Sequence, residues 1–66
     1  MSVIKVLEIL SSSDKSWEDA AQNAVAEASK TVRDVRSVNV KNLSAKVKDG
    51  KITEYRINSK ITFEVK

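Results

Sequence analysis

The stretch W-E-D-A-A-Q-N-A-V-A-E-A, Trp17 to Ala28, decides the fold. Its apolar residues recur every three or four positions, which predicts a helix with one apolar stripe. Ser16 followed by Asp19 is a capping pattern, and Glu18 suits the positive helix end, so the helix is predicted to start near Trp17. Most of the stripe is alanine, so the helix axis is expected to lie close against a sheet. The stripe comprises Trp17, Ala20, Ala21, Ala24, Val25, Ala28 and Val32.

The segment before the helix reads as a strand. From Val3 to Leu10 the residues are Val, Ile or Leu apart from Lys5 and Glu8. Apolar side chains on both parities are typical of a strand covered on both faces. The cluster from Ser11 to Asp14 then predicts a turn.

A second strand follows the helix, and its apolar pattern changes phase. Its apolar residues are Val35, Val38 and Val40 and then, on the opposite parity, Leu43, Ala45 and Val47. One extra residue switches which side chains face inward, so a bulge is predicted near Lys41 and Asn42.

The pair Asp49-Gly50 favours a two-residue hairpin turn, and Lys51 to Lys66 is predicted to return as a third strand. The members of its apolar phase are Tyr55, Ile57, Ile61, Phe63 and Val65. The predicted fold class is therefore α+β, with the order β-α-β-β and a three-stranded antiparallel sheet wrapped around one helix. The domain is expected to span residues 1–66.

Size predicts self-association. A domain this short buries only about 60% of the surface that its unfolded chain exposes. The chain has no Cys and no His, so a disulfide framework and the usual transition-metal ligands are both missing. Strands of about 14 residues exceed the usual 5 to 6 and are expected to reach neighbouring subunits. We therefore predict a homo-oligomer.

Composition also narrows the class of function. The net charge of +3 is spread along the chain, and one Trp, one Tyr and one Phe form no stacking platform, so no nucleic-acid partner is predicted. The apolar amino-terminal run contains Lys5 and Glu8, which suit neither a signal peptide nor a membrane span. A cytoplasmic protein without a membrane partner is expected. Without histidine or a glycine-rich loop, the chain is not expected to be an enzyme.

Two features leave alternatives open. Carboxylates are either solvated or bind a hard cation such as calcium where copies meet; they are Glu8, Asp14, Glu18, Asp19, Glu54 and Glu64. Trp17 either anchors the core or a subunit interface, or stacks on a planar ligand.

The chain as a whole resembles the dodecins. The likeness rests on the opening V-x-K-V-L-E-I-L, the turn S-S-S-D-K-S, the helix A-A-Q-N-A-V-A-E-A and the closing Y-R-I-N-S-K-I-T-F-E-V. The resemblance implies a sheet wrapped around one helix and twelve copies in a hollow shell, with ligand pockets near the symmetry axes. The ligand that it implies is a flavin, namely FMN, FAD or riboflavin.

Two positions depart from the flavin-binding pattern. In that pattern a Trp early in the second strand stacks on the ligand, and a Gln after an aromatic residue in the third strand hydrogen-bonds it. Here Ser37 occupies the stacking position and Arg56 follows Tyr55. The segments S-W-E-D-A-A, D-V-R and G-K-I-T-E-Y-R-I look instead like the calcium-binding dodecin type, which implies calcium as the alternative ligand, with its ligating residues unassigned.

The polar positions of the second strand give the candidate site. Repeated by symmetry, Arg36, Ser37, Asn39 and Arg56 are predicted to line a cationic pocket for an anionic or phosphate-bearing small molecule, since Arg suits bidentate recognition. The alternative is a polar sheet face in a hydrated cavity. The predicted function is a non-enzymatic homo-dodecamer that binds or stores a small ligand; the alternative is a calcium-binding or structural variant that does not bind flavin.

Overall fold

The computed structural model describes residues 3–65 and has the predicted element order. Strand β1 spans Val3–Ser13, helix α1 Trp17–Thr31, strand β2 Val35–Lys48 and strand β3 Lys51–Val65. The sheet order is β1-β3-β2, and both pairings are antiparallel. The α+β fold class is confirmed, while the predicted end of the third strand at Lys66 lies outside the described residues. The protomer is long and thin, 52 × 19 × 13 Å.

Strand β1 is longer than the sequence suggested. The turn predicted from Ser11 onward was wrong, because Ser11, Ser12 and Ser13 pair with residues 57, 56 and 55 of β3. The serines continue the strand because their hydroxyls have partners there. Ser11 Oγ donates a hydrogen bond of 2.7 Å to the carbonyl of Ala20 in the helix.

The helix start at Trp17 is confirmed, and it is capped twice. Ser16 is the N-cap, and its Oγ accepts a hydrogen bond of 3.0 Å from the amide of Asp19. Ser13 Oγ donates to Asp19 Oδ2 at 2.6 Å and accepts from the amide of Lys15 at 2.9 Å. The end of β1 and the start of α1 are therefore joined by side chains as well as by the backbone.

The core lies between the alanine stripe and the middle of the sheet. Ala20, Ala24 and Ala28 are at most 2% exposed, and so are Ile57 and Ile61 of β3 beneath them. Because alanine has so little bulk, the helix packs closely on the strands. The other members of the stripe are half-buried, namely Trp17, Ala21, Val25 and Val32.

Strand β2 carries the predicted bulge. The register shifts between Val40 and Asn42, so Lys41 is a surplus residue and the prediction is confirmed. As a result Val40 lies across from Ser59 and Leu43 across from Ile57, on the face that the helix covers.

Two further bulges were not predicted. The first lies between Val35 and Ser37, and the second between Lys46 and Val47. At the second, β3 supplies the surplus residue, and Val47 pairs with Ile52. Val47 therefore stays in the row of Leu43 and Ala45, and the bulge brings Ile52 to the same face.

The hairpin between β2 and β3 turns at the predicted pair. Asp49 has φ 52° and Gly50 has φ 76°. Two consecutive residues with positive φ are what a two-residue turn of type I′ requires. The hairpin turn is therefore confirmed.

Candidate ligand-binding face of the sheet

The helix covers one face of the sheet, and the other face, here called the free face, contains a depression of about 400 Å³. All three strands contribute to its walls. Its polar and apolar lining includes Leu10, Ser12, Asn42, Ser44, Arg56 and Asn58. The depression thus combines one cation, the carboxylate of Glu54, hydroxyls, amides and an aliphatic side chain, which is a mixture that small-molecule sites present.

Arg56 provides the positive charge of the depression. The register places it between Ser12 of β1 and Ser44 of β2. Its Nε donates a hydrogen bond of 2.9 Å to Glu54 Oε1, which holds the side chain along the strand. A guanidinium has five N–H donors, so this bond orients the group and leaves donors for a ligand.

Asn58 contributes an acceptor that lacks a donor. Its Oδ1 is buried and has no hydrogen-bond partner among residues 3–65. The register places Asn58 between Leu10 and Asn42. An unsatisfied buried acceptor costs about 1–3 kcal/mol, so a rotation of the Asn58 amide towards an N–H or O–H group bound in the depression would remove that cost.

Arg36, Ser37 and Asn39 lie towards the opposite end of the free face. Arg36 Nη2 contacts Glu64 Oε1 at 2.6 Å, and this carboxylate raises the pKa of Arg36. The hydroxyls of Ser37 and Thr62 hydrogen-bond to each other. These three residues are exposed, and they do not line the depression.

A single protomer does not bring the four predicted site residues together. Arg36 lies on β2, opposite residues 62–63 of β3. Arg56 lies on β3 itself, six or more positions before residues 62–63. At about 3.3 Å per residue this separation is roughly 20 Å. A ligand that contacted all four residues would have to lie between protomers.

The centre of the free face is an ion pair. Lys41 Nζ lies 3.1 Å from Glu8 Oε2. The hydrogen bond and the charge of Lys41, helped by Lys60, lower the pKa of Glu8. Lys41 and Arg36 are both surplus residues at bulges of β2, and both pair with carboxylates of this face.

Trp17 anchors the start of the helix within the protomer. Its ring meets Tyr55 edge to face, with centroids 4.9 Å apart and an angle of 79°. Its Nε1 donates a hydrogen bond of 2.9 Å to the carbonyl of Ser44. Of the two roles that the sequence left open, the contacts show the anchoring one.

The sequence prediction missed Ser12, Ser44 and Asn58. Asn58 shares the parity of Arg56, so strand alternation alone was enough to find it. The positions of Ser12 and Ser44 depend on the exact register of strand pairing. That register could not be predicted from the sequence, because β1 is longer than expected and β2 contains bulges.

Residues 3–65 contain no group of three or more acidic, histidine or cysteine side chains placed to hold a metal ion. Over the same residues, no helix is long and apolar enough to cross a membrane.

The fold and the sequence can be compared with known proteins. The family model for dodecin matches residues 3–66. The chain belongs to the dodecin family. It is 42% identical over 67 residues to the calcium dodecin of Mycobacterium tuberculosis. The match covers 100% of this chain and 93% of that protein.

Solved dodecin structures match nearly the whole chain. A mutant of the Thermus thermophilus dodecin gives a TM-score of 0.94 at 27% identity, covering 100% of this chain and 98% of that one. The calcium dodecin from M. tuberculosis, described as calcium chelating with a novel calcium-binding site, gives 0.83 at 39% identity, covering 98% and 93%. Identity and backbone similarity thus rank these two relatives in opposite orders.

Proposed function

We propose that this dodecin is a non-enzymatic homo-dodecamer that binds or stores a small ligand on the free face of its sheet. The ligand is of flavin type or another anionic or phosphate-bearing molecule. The observation that carries the proposal is the depression lined both by Arg56 and by Asn58, whose buried Oδ1 is unsatisfied. A ligand edge with an N–H donor suits the first group, and an anionic group suits the second.

Exposed apolar side chains support assembly. Leu10 is 78% and Val47 62% exposed, although aliphatic side chains of this size gain about 1.5–3 kcal/mol each from burial. The buried hydrophobic residues of the described chain are only small alanines and two isoleucines. Light scattering is expected to give a mass about twelve times the 7.3 kDa of the chain. A monomeric mass at micromolar concentration would contradict the proposal.

Ligand binding is tested by fluorescence titration with FMN and with riboflavin. FMN carries a phosphate that riboflavin lacks, so we expect FMN to bind more tightly. Hydrogen bonds to charged groups contribute about 1.5–3 kcal/mol, so Arg56→Gln should weaken FMN binding roughly tenfold or more. Riboflavin binding should change less.

The matched control is Arg33→Gln. Arg33 is exposed and lies between α1 and β2, so this variant makes the same change of charge away from the depression. Equal losses of FMN affinity in both variants would show that Arg56 acts only through net charge. Absence of binding by either flavin would leave the calcium alternative as the better proposal.

Calcium is the second candidate, favoured by the 42% identity to a protein named calcium dodecin. Glu8, Glu54 and Glu64 form ion pairs with basic side chains, whereas Asp14 and Glu18 are exposed near the helix start. Thermal unfolding in excess calcium should occur at a higher temperature than in EDTA, because a ligand that binds only the folded state stabilises it. Magnesium is the control, and identical unfolding temperatures in calcium and EDTA would exclude this candidate.

A further inference from the structure

A second concave surface lies on the side of the sheet that carries the helix. This groove has a volume of about 440 Å³ and is lined by Trp17, Glu18, Ala21, Val40 and Leu43. Its lining is mainly apolar, and Leu43 is 60% exposed. The indole N–H of Trp17 already donates to a carbonyl. Glu18 is the charged residue in the lining of the groove.

The tip of the β2–β3 hairpin, residues 46–52, has the opposite character. Val47 and Ile52 face each other across the hairpin and are 62% and 48% exposed. Lysines surround this apolar pair, and Lys48 lies directly opposite Lys51. Like charges placed directly opposite each other destabilise a strand pair, so a carboxylate brought to the tip would stabilise it.

The charges around the two surfaces are complementary. The tip carries three lysines and one aspartate, whereas the segment that enters the helix beside the groove carries three acids and one lysine. The acids are Asp14, Glu18 and Asp19. The tip therefore suits the groove in both apolar content and sign of charge, and complementary charges favour the correct pairing of surfaces.

We propose that the groove of one protomer receives the hairpin tip of a second copy of this chain, with Val47 and Ile52 packing against Leu43 and Ala21. The inference rests on the proposed homo-oligomer and names a contact within it. A protomer's own tip is not the occupant, because Val47 follows Leu43 along the same extended strand at about 13 Å. Groove and tip are separate surfaces of each protomer, so every copy in a closed assembly can receive one tip and insert its own into a neighbour.

Disulfide trapping tests this contact directly, because the chain has no cysteine of its own. In the double variant Val47→Cys with Leu43→Cys, the two positions of one protomer are too far apart to be bridged, since a disulfide needs Cα atoms within about 7 Å. Oxidation should therefore give covalent dimers on a non-reducing gel. The control combines Val47→Cys with Val6→Cys, a similarly exposed position on β1, and should give few or none.

A charge exchange provides an independent measurement. Glu18→Lys should raise the concentration at which the oligomer dissociates by roughly tenfold, and adding Lys51→Glu should restore it. Glu27→Lys, an exposed acid elsewhere on the same helix, is the control and should leave dissociation unchanged. Circular dichroism confirms that each variant is folded.

The outcomes separate this contact from the proposed function. If the wild-type protein is a flavin-binding oligomer but dimers form equally in both cysteine pairs, or the second charge change gives no rescue, the tip-in-groove contact is wrong and the proposed function stands. If the wild-type protein is monomeric, the proposed function fails first. Selective dimers together with rescue by the charge exchange support the contact.

Discussion

The two faces of the sheet are built from the same three strands but perform different tasks. On the covered face, Ala24 and Ile61 are fully buried. On the free face, charged side chains pair in solvent, as Lys41 does with Glu8. A buried aliphatic side chain contributes about 1.5–3 kcal/mol, whereas an exposed ion pair contributes about 0–1 kcal/mol. Stability therefore comes mainly from the covered face.

The largest expected effect comes from removing a buried side chain of the covered face. Ile61→Ala removes a fully buried side chain and should lower the free energy of unfolding by about 2–5 kcal/mol. Lys60→Ala, at an exposed position of the free face opposite Glu8, should change it by less than about 0.5 kcal/mol. Chemical denaturation at equal protein concentration measures both variants, and a comparable loss in Lys60→Ala would refute the distinction between the faces.

A smaller effect sharpens the role of the free face. Ser37→Trp supplies a π face at the position where flavin-binding dodecins are expected to stack their ligand. Stacking on an aromatic ring contributes about 1–3 kcal/mol, which predicts a rise in riboflavin affinity of roughly 5- to 150-fold. The quenching of riboflavin fluorescence gives the affinity.

The control for this substitution is Ser37→Leu, which adds apolar area at the same position without a π face. Its riboflavin affinity should stay near that of the wild-type protein. If Leu and Trp raise the affinity equally, the gain is hydrophobic and Ser37 does not occupy a stacking position.

The smallest effect concerns the ion pair at the centre of the free face. Lys41 lowers the pKa of Glu8 below its ordinary value of 4.5. A carboxylate with a lowered pKa contributes stability above its unfolded pKa, and the contribution is lost as the pH falls through the folded pKa. The stability of the wild-type protein should therefore fall as the pH drops below about 4.5. The stability of Glu8→Gln, measured by thermal unfolding, should fall less over the same range.

Lys41→Met tests the cause of that shift. Without the ammonium group, the pKa of Glu8 should return towards its ordinary value, so this variant should also depend less on acidic pH. If the stability of the wild-type protein depends on pH in the same way as that of both variants, the ion pair contributes nothing measurable in solution.

The sequence predicted the elements that depend on local pattern. The helix start at Trp17 follows from the Ser16 cap, and the bulge at Lys41 follows from the change of apolar parity. The turn at Asp49-Gly50 requires positive φ at both residues, which this pair accepts readily. In each case, residues within a few positions of each other determine the outcome.

Features that depend on pairing between distant residues were predicted less well. Ser11 to Ser13 read locally as a turn, but they pair with β3 and bond to the helix. The roughly 20 Å between Arg36 and Arg56 depends on the register of two strands, and so does the position of Asn58 in the depression. A one-residue uncertainty in register is enough to conceal a binding face.

The three bulges also determine where the length of this chain is free to vary. Residues 36 and 41 are surplus on β2, and residue 53 is surplus on β3. Loss of Lys41 would leave a regular strand in which Val40 and Leu43 still face the helix. Loss of Ser44, three residues later, would exchange inside for outside along the strand. Across related proteins, single-residue deletions in these strands should therefore be found at the bulges.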